Sequence, residues 1–362
     1  MNILLFTDAW FPQINGVVRT LDMVCRALRA EGDDVEVISP ADFKTIPCPT
    51  YPEIRLALNA SSAVRARLRR EDFAAIHIAT EGPIGYAAQR ACTKLGLQFT
   101  TAYHTKFPEY VHARTKLPLS WLYRAVRWFH AKSSGVMVAT PSLQAELKAL
   151  GFHNLKQWSR GVDLSLFQTH AKHAVAELNT LPRPIHGYVG RVAVEKNIEA
   201  FLSLNLTGSK LVVGDGPQLA SLKKRFPDAM FVGAKSGTEL AKHYAACDVF
   251  VFPSKTDTFG LVMLEALASG VPVAAYPVPG PVDVVGVDGT GVLAERSAPI
   301  GALNDDLELA IKHALDANPA DCRAYANHFS WSNCAAVFRS HLVPSRAHMP
   351  LRDKQPLEII AQ

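Results

Sequence analysis

The chain has 362 residues, which is too long for one ordinary hydrophobic core and predicts two domains. Hydrophobic residues make up 48% of it, which excludes a disordered protein, and no apolar run approaches the ~18 to 20 residues of a membrane span. The formal net charge is +5, with basic residues in excess up to residue 168 and a slight acidic excess beyond it. One domain alone is therefore expected to face an anionic partner.

The first residues, from Met1 to Asp8, have neither a basic segment nor a small-residue cleavage site. They are typical of a first β-strand and not of a signal peptide. The six cysteines are scattered and include no C-x-x-C pair, so reduced thiols are expected and a zinc site is not. These features predict a cytoplasmic protein.

Short apolar runs alternate with helical patterns along almost the whole chain. In the first half, strands are predicted at Ile3–Thr7, Val35–Ser39, Ala75–Ala79, Phe99–Tyr103 and Val136–Thr140, with helices that begin near Gly16, Ser61, Pro83, Pro118 and Ser142. In the second half, strands are predicted at Gly187–Gly190, Lys210–Val213, Met230–Val232, Val249–Phe252 and Val271–Tyr276. Such alternation is typical of parallel sheets covered on both faces. The pattern predicts an α/β protein with two doubly wound, Rossmann-like domains that face one another across a cleft.

The domain boundary is predicted where apolar periodicity weakens and Pro182 and Pro184 stiffen the chain. Residues 1–168 form the first predicted domain, which is basic, and residues 169–330 form the second. Residues 331–362 are predicted to be a helix followed by a charged, proline-containing tail, which could pack back on the first domain.

A strand, a loop and the start of a helix are predicted to follow one another over residues 249–266. Apolar residues take helical spacing from Leu261, and the loop before it contains Phe259 and Gly260. Such a loop can present free backbone N–H groups to an anion such as phosphate. Glu265, about one turn further along the helix, could accept hydrogen bonds from sugar hydroxyls. Phosphate and sugar together predict a sugar nucleotide as the ligand.

Two more loops follow predicted strands of the second half. Gly190 ends one strand, and Arg191 and Lys196 lie in the loop that opens the next helix. Because open α/β sheets bind ligands at the carboxyl ends of their strands, these cations could bind a diphosphate. The alternative is a solvated basic loop. The turn at Gly214 could line the same cleft, although turn chemistry alone would also explain it.

Two candidate residues of the first half also lie next to predicted strands. Gly16 occupies a strand-to-helix turn, where a glycine lets a ligand approach the backbone or simply relieves steric crowding. His104 follows another strand at the expected cleft edge, where it could donate to a sugar hydroxyl or steady a developing charge. A histidine is more often a plain surface or core residue, and the position at a strand end is what favours His104.

No acidic residue occurs over positions 110–145. This interval combines basic and aromatic residues, namely Arg114, Lys116, Arg124, Arg127 and Lys132 with Trp121, Tyr123, Trp128 and Phe129. A basic amphipathic segment with Trp and Tyr is typical of docking at an anionic membrane surface, and the arginines of positions 65–70 could extend that face. The alternative is an ordinary buried helix face with solvated basic residues opposite. Nucleic acid is disfavoured because no known nucleic-acid-binding module is visible.

Together, these segments resemble glycosyltransferase family 4, the retaining enzymes of the two-Rossmann-domain GT-B type. The resemblance covers the chain to about residue 340. Its specific motifs are Tyr103-His104-Thr105, Ser159-Arg160-Gly161-Val162-Asp163, Gly190-Arg191 with Lys196, Gly214-Asp215-Gly216-Pro217 and the segment from Asp257 to Glu265. Within the family, the chain is similar to bacterial transferases that build glycolipids on diacylglycerol or phosphatidylinositol.

The resemblance implies roles for the matching residues. It assigns catalytic roles to His104, Arg191, Lys196 and Asp257, and donor-binding roles to Gly16, Gly214, Phe259, Gly260, Leu261 and Glu265. His104 would contact the transferred sugar, the two cations would hold the leaving diphosphate, and Glu265 would bind the ribose. The family's paired acids, eight positions apart, are usually both glutamate, so Asp257 is a departure that is one methylene shorter.

The function that follows is retaining transfer of a hexose from a UDP- or GDP-sugar to a lipid acceptor of the diacylglycerol or glycolipid type. The protein is then expected to lie peripherally on the inner membrane face. No cofactor is expected, and no metal, because no convincing D-x-D motif follows a strand. A soluble or polysaccharide acceptor is the alternative. A phosphorylase, a sugar-nucleotide epimerase or a non-catalytic binding protein on the same fold are the rivals from other classes.

Overall fold

The computed structural model describes residues 1–13, 15–48, 51–70, 72–168, 172–257, 259–293 and 298–346. Thr258, the tail beyond residue 346 and the side chain of Arg114, which the sequence analysis included, lie outside this described part. The chain divides into two compact units. The first contains Met1–Val138, Glu146–Trp158 and the chain from Ala335 onward, and the second contains Ala139–Ala145 and Ser159–Cys334.

Up to Trp158 strands and helices alternate, apart from one run of three consecutive strands and one pair of consecutive helices. The strands are β1 (Asn2–Phe6), β2 (Asp34–Ile38), β3 (Thr45–Cys48), β4 (Tyr51–Ala57), β5 (Ala75–Ile78), β6 (Thr100–Tyr103), β7 (Gly135–Val138) and β8 (Leu155–Gln157). The helices are α1 (Gly16–Ala30), α2 (Ala60–Leu68), α3 (Pro83–Leu95), α4 (Phe107–Thr115), α5 (Leu119–His130) and α6 (Pro141–Ala149).

After Trp158 the alternation continues to the C-terminal helices. The strands are β9 (Ile185–Val189), β10 (Ser209–Val213), β11 (Met230–Gly233), β12 (Val249–Phe252), β13 (Val273–Ala275) and β14 (Gly301–Leu303). The helices are α7 (Ile198–Leu202), α8 (Leu219–Arg225), α9 (Gly237–Ala246), α10 (Leu261–Ala268), α11 (Pro281–Val285), α12 (Leu307–Ala314), α13 (Pro319–Ala326) and α14 (Trp331–His341).

The first unit contains a six-stranded sheet in the order β2-β1-β5-β6-β7-β8, in which every pairing is parallel. In the register of its centre, Ile3 of β1 pairs with Val35 on one side and with Ala75 on the other. The strand order reverses between β1 and β5, so a topological switch point lies at their carboxyl ends. An antiparallel β3–β4 hairpin accompanies this sheet.

The second unit contains another parallel six-stranded sheet, in the order β11-β10-β9-β12-β13-β14. Successive residues of β12 belong to different core clusters: Phe250 and Phe252 pack on one face, and Val249 and Val251 pack on the other. Burial on both faces is typical of parallel sheets and explains the continuous apolar runs of these strands. The predicted fold class, two doubly wound α/β domains, is confirmed in each unit.

The segments at the predicted domain limits pack as follows. Phe167 is fully buried in the core of the second unit, and the amide of Val162 donates to the carbonyl of Phe329, so the segment from Ser159 to residue 168 belongs with that unit. The chain from Ala335 onward belongs with the first unit, where Arg339 is ion-paired with Glu31 and Asp33. Among the described residues, no helix is both long enough and apolar enough to cross a membrane.

Candidate active site

The switch point of the second sheet lies between the carboxyl ends of β9 and β12, because β10 pairs with β9 on one side and β12 pairs with it on the other. Gly190 and Arg191 follow β9 directly, and the loop with Asp257 and Phe259 follows β12. The topology therefore brings together two segments that the sequence analysis could place only separately at strand ends. Ligands of open α/β sheets bind at such points.

The ends of β9 and β10 approach each other backbone to backbone. The amide of Gly190 donates to the carbonyl of Val213 at 3.0 Å. A Cβ atom on Gly214 would lie 1.8 Å from the carbonyl oxygen of Gly190, so no side chain fits there. Gly214 thus has a steric role in closing the loops, which explains its presence without a direct ligand contact.

Lys196 and Asp257 form an ion pair beside this switch point. The ammonium nitrogen of Lys196 lies 2.5 Å from Oδ1 of Asp257, and the two side chains are only 27% and 21% exposed. Lys196 ends a single turn of 3₁₀ helix, Val194–Lys196, which places it next to the loop after β12. Oδ2 of Asp257 is buried and has no hydrogen-bond partner among the described residues. The pair therefore leaves one carboxylate oxygen available for a further donor.

Arg191 differs from Lys196 in its surroundings. Its side chain is 49% exposed, and its guanidinium lies 3.9 Å from the carboxylate of Glu195, a distance too long for a strong pair. Lys196, in contrast, lies in a half-buried ion pair with Asp257. Arg191 thus presents a largely exposed, fork-shaped donor.

The N-terminus of α10 has no cap from any described side chain. Gly260 precedes it with a left-handed backbone (φ 81°), and a Cβ there would lie 2.8 Å from the terminal carbon of Met263, so glycine is required. Phe259 before it is buried, and Leu261 begins the helix. The amide of Met263 donates to the carbonyl of Gly260 at 2.9 Å, and the amides before it in the first turn are available to an anionic ligand.

Glu265 lies one turn into α10 and is only 3% exposed. Its Oε2 accepts a hydrogen bond of 2.9 Å from the hydroxyl of Tyr244, on α9. The sequence analysis missed Tyr244, for which the sequence holds no signal beyond an apolar helical position. Tyr244 fixes the carboxylate that the family resemblance assigns to the ribose.

The first-unit candidates also lie beside strand ends. Gly16 is the first residue of α1, and the side chain of Asn15 caps this helix by accepting from the amides of Val17 and Val18. His104 directly follows β6 and is buried, with its ring edge-to-face against Trp158 at 5.8 Å between centroids. The packing against Trp158 orients the imidazole.

Asp8, which the sequence analysis did not single out, fills the switch point of the first sheet. Its carboxylate accepts hydrogen bonds from the amides of Ile84 (2.8 Å) and Gly85 (3.1 Å) in the first turn of α3, and from the hydroxyl of Thr80 (3.0 Å). Burial raises the pKa of Asp8, and these hydrogen bonds oppose that rise. The α3 N-terminus is thus occupied by the chain's own anion, in contrast to α10.

The basic aromatic interval 110–145 contains α5, whose inner face is buried through Val126 and Phe129. Its outer face exposes Trp121 and Trp128, with Arg124 between them. Helix α5 therefore has a buried apolar face and an exposed basic face that also carries two tryptophans. Among the described residues, no group of three or more His, Cys, Asp or Glu side chains could hold a metal ion.

Two family models match the chain, "Glycosyltransferase Family 4" over residues 14–166 and "Glycosyl transferases group 1" over residues 173–329. A GDP-mannose-dependent alpha-mannosyltransferase of Mycobacterium tuberculosis is 30% identical, over 87% of this chain and 88% of its own. An alpha-monoglucosyldiacylglycerol synthase of Streptococcus pneumoniae is 27% identical, over 76% and 71%.

Among solved structures, the sucrose-phosphate synthase of Thermosynechococcus elongatus superposes with a TM-score of 0.72 at 23% identity, over 94% of this chain and 97% of that one. At this identity the likeness shows the fold alone. The sequence matches go further, since they extend over both units and over most of the relatives' length. They confirm the predicted resemblance: the chain is a glycosyltransferase of the GT-B type and belongs to glycosyltransferase family 4.

Proposed function

We propose that this glycosyltransferase transfers a hexose, with retention of anomeric configuration and without a metal ion, from a nucleotide diphosphate sugar to a lipid acceptor. The observation that carries the donor half is the cluster at the second switch point, where Arg191, Lys196 and the uncapped N-terminus of α10 follow strand ends. These groups supply positive charge for a leaving diphosphate, which is the electrostatic stabilisation that such a reaction requires.

Each candidate residue takes a part in this proposal. Negative charge develops on the diphosphate as the bond to the anomeric carbon breaks, and Arg191 and Lys196 meet that charge. The amides of Gly260 and Leu261 contact phosphate and sugar through the backbone, and Glu265, held by Tyr244, binds the ribose. A phosphate oxygen of the leaving group takes the proton of the acceptor hydroxyl on the same face of the sugar.

The remaining candidates act around this centre. Asp257, whose Oδ2 has no partner among the described residues, accepts a hydrogen bond from a hydroxyl of the donor sugar. His104 contacts the transferred sugar from the first unit. Gly16 belongs to the acceptor side, and Gly214 shapes the donor loops through the close approach to Gly190.

The expected activity is sugar transfer into a lipid fraction. We expect the protein to convert GDP-mannose or UDP-glucose into a chloroform-soluble glycolipid when diacylglycerol or phosphatidylinositol is present, and to hydrolyse the donor only slowly without acceptor. Two relatives, a GDP-mannose-dependent alpha-mannosyltransferase and an alpha-monoglucosyldiacylglycerol synthase, support GDP-mannose as a donor and diacylglycerol as an acceptor. Radiolabelled donors and thin-layer chromatography of the extract measure the outcome.

Different products would redirect the proposal. Label that stays in the aqueous phase on a saccharide would support a soluble or polysaccharide acceptor instead. Formation of an epimerised donor would identify the chain as an epimerase and not a transferase. Donor binding without any turnover would identify it as a binding protein.

The lipid half of the proposal rests on the outer face of α5. Trp121 is 67% exposed and Trp128 is 49% exposed, with Arg124 on the same face. Tryptophan prefers the membrane–water interface, and arginine is attracted to anionic headgroups. We therefore place the protein peripherally on the inner membrane face, with this helix against the lipid.

Reversing charge on α5 and in the turn that follows it should release the protein from anionic vesicles. Each basic residue near such a surface contributes about 1 kcal/mol, so replacing Arg124 and Lys132, both exposed, with glutamate should weaken binding by at least about 30-fold at low salt. Arg127 is a poorer choice, because its guanidinium donates to the carbonyl of Leu150 at 2.8 Å. Vesicle co-sedimentation, with a salt series to test screening, measures the effect.

The matched control is the Lys223→Glu and Lys224→Glu pair, which makes the same charge change at exposed positions of the second unit. It should bind vesicles like the wild type. A wild type that ignores anionic vesicles at low salt would remove the membrane half of the proposal and favour a soluble acceptor.

A further inference from the structure

A surface pocket of about 650 Å³ lies in the first unit between α3 and α5. Tyr86 of α3 lines one side, and Trp121, Arg124, Ala125 and Trp128 of α5 line the other. The α5 residues recur at intervals of three or four and so lie on one face of the helix. None of these residues belongs to the donor cluster proposed above.

The pocket walls are aromatic. The rings of Tyr86 and Trp128 are stacked, with 6.2 Å between centroids and 17° between planes. Trp121 projects further into solvent, and Leu117 and Leu119, just before α5 and at its first residue, are exposed as well. A cluster of exposed large apolar side chains is typical of a surface that meets an apolar partner. A small soluble anion would leave this apolar rim in water.

The helices around the pocket carry basic residues and no acidic ones. Helices α2, α3 and α5 contribute to one core cluster, and none of them contains an aspartate or a glutamate. Their basic residues are Arg65, Arg67, Arg90, Lys94, Arg124 and Arg127. The fold thus extends the acid-free interval 110–145 into a layer of three basic helices. Such a layer complements an anionic surface.

Two arginines of this layer are available to a ligand. Arg67 is paired with Glu36 and Asp72, and Arg127 donates to a backbone carbonyl. Arg124 and Arg90 have no hydrogen bond or ion pair among the described residues.

Arg90 lies one turn after Tyr86 on α3, so the two side chains share a face of that helix. The pKa of the Tyr86 hydroxyl is raised by burial and by Glu81 and lowered by the charge of Arg90. The acid in reach, Glu81, is already engaged by His130 at 3.1 Å. A positive charge, that of Arg90, therefore lies near the pocket, and the nearby carboxylate of Glu81 is already paired.

We propose that this pocket binds the phosphate-bearing headgroup of an anionic phospholipid. Arg124 takes the phosphate, and Trp121 and Trp128 take the glycerol and the first acyl carbons. The inference rests on the proposed membrane acceptor and adds to it a discrete site with its own residues. Diffuse attraction needs only charge, whereas this site needs the open volume of the pocket between α3 and α5.

Ala125→Leu tests the volume separately from the charge. Ala125 is exposed and lines the pocket, so leucine should fill the space, keep the net charge and preserve the helix. The probe is monomeric dihexanoylphosphatidylglycerol, followed by tryptophan fluorescence on the full chain. We expect saturable binding by the wild type and at least about tenfold weaker binding by Ala125→Leu and by Arg124→Gln. Lys223→Gln in the second unit is the control and should behave like the wild type.

The outcomes separate this site from membrane docking. Equal binding of the monomeric lipid by Ala125→Leu and the wild type, with circular dichroism unchanged, would overturn the pocket even if both bind vesicles. If the wild type does not bind vesicles but still binds the monomeric lipid, and Ala125→Leu weakens that binding, the docking proposal is refuted and the pocket proposal stands. The same fluorescence change with inorganic phosphate alone would identify a free-phosphate site and overturn the lipid assignment.

Discussion

Lys196→Ala and Arg191→Ala should each lower kcat for sugar transfer by about 100-fold or more, with smaller changes in KM. Removing one preorganised donor from a site of developing negative charge typically costs this much, because the lost interaction is stronger in the transition state than in the ground state. The ammonium of Lys196 lies beside the switch point, where Asp257 holds it at 2.5 Å. Steady-state kinetics with the donor varied at saturating acceptor measures both parameters.

The structure predicts different side effects for the two variants. Arg191 is largely exposed, so Arg191→Ala should keep the wild-type melting temperature, whereas Lys196→Ala leaves the half-buried Asp257 without its cation and should lower it slightly. Lys196→Ala combined with Asp257→Asn removes the stranded charge and should recover stability but not kcat. Near-normal kcat in both single variants would refute the diphosphate assignment.

Asp8→Ala should lower the free energy of unfolding of the first unit by about 3 kcal/mol or more. The change leaves the buried amides of Ile84 and Gly85 without an acceptor, each at a cost of about 1–3 kcal/mol, and removes a negative charge from the N-terminus of α3. Thermal or urea unfolding measures the loss. Hydrogen exchange should localise it to the first turn of α3, where the Ile84 amide should lose protection.

The comparison that isolates the buried carboxylate is Asp34→Ala. Asp34 is exposed at the start of β2, so its removal should change stability by no more than about 0.5 kcal/mol. Asp8→Asn keeps one acceptor oxygen and should fall between the two. If Asp8→Ala unfolds like the wild type, the N-terminus of α3 does not need this carboxylate. The view that Asp8 fills an anion site at that N-terminus would then be wrong.

Ten of the twelve sheet strands in the described residues could be predicted to within two residues, because buried parallel strands are short apolar runs ended by glycine, proline or polar residues. The other two, β8 and β14, are three-residue edge strands and were missed. The run at Val249–Phe252 coincides with β12. Hairpin strands β3 and β4 were missed, since their residues are mostly partly exposed and prolines interrupt the alternation. Strand β8 is a three-residue edge, and α4 lacks a clear apolar stripe, so neither has a distinct signal in the sequence.

The sequence predicts which positions belong to the candidate site, but not which of their side chains contact one another. Strand-end location was enough to select Arg191 and Lys196, but the ion pair of Lys196 with Asp257 joins residues 61 apart and depends on β9 and β12 being neighbours. The capping of α3 by Asp8 spans 76 residues to Ile84 and has the same origin. Only the strand order of a doubly wound sheet makes such pairs adjacent.

If Lys196 meets the diphosphate as proposed, its pair with Asp257 is an internal competitor of the substrate in the empty enzyme. A small anion such as inorganic phosphate then has to displace a carboxylate held at high effective concentration before it reaches the ammonium. A complete donor has further contacts along its nucleotide and sugar with which to drive the exchange. After transfer those sugar contacts are gone, and the carboxylate can return to the lysine. Under this proposal the lysine is paired with Asp257 between turnovers, and the carboxylate competes with the spent nucleotide for it.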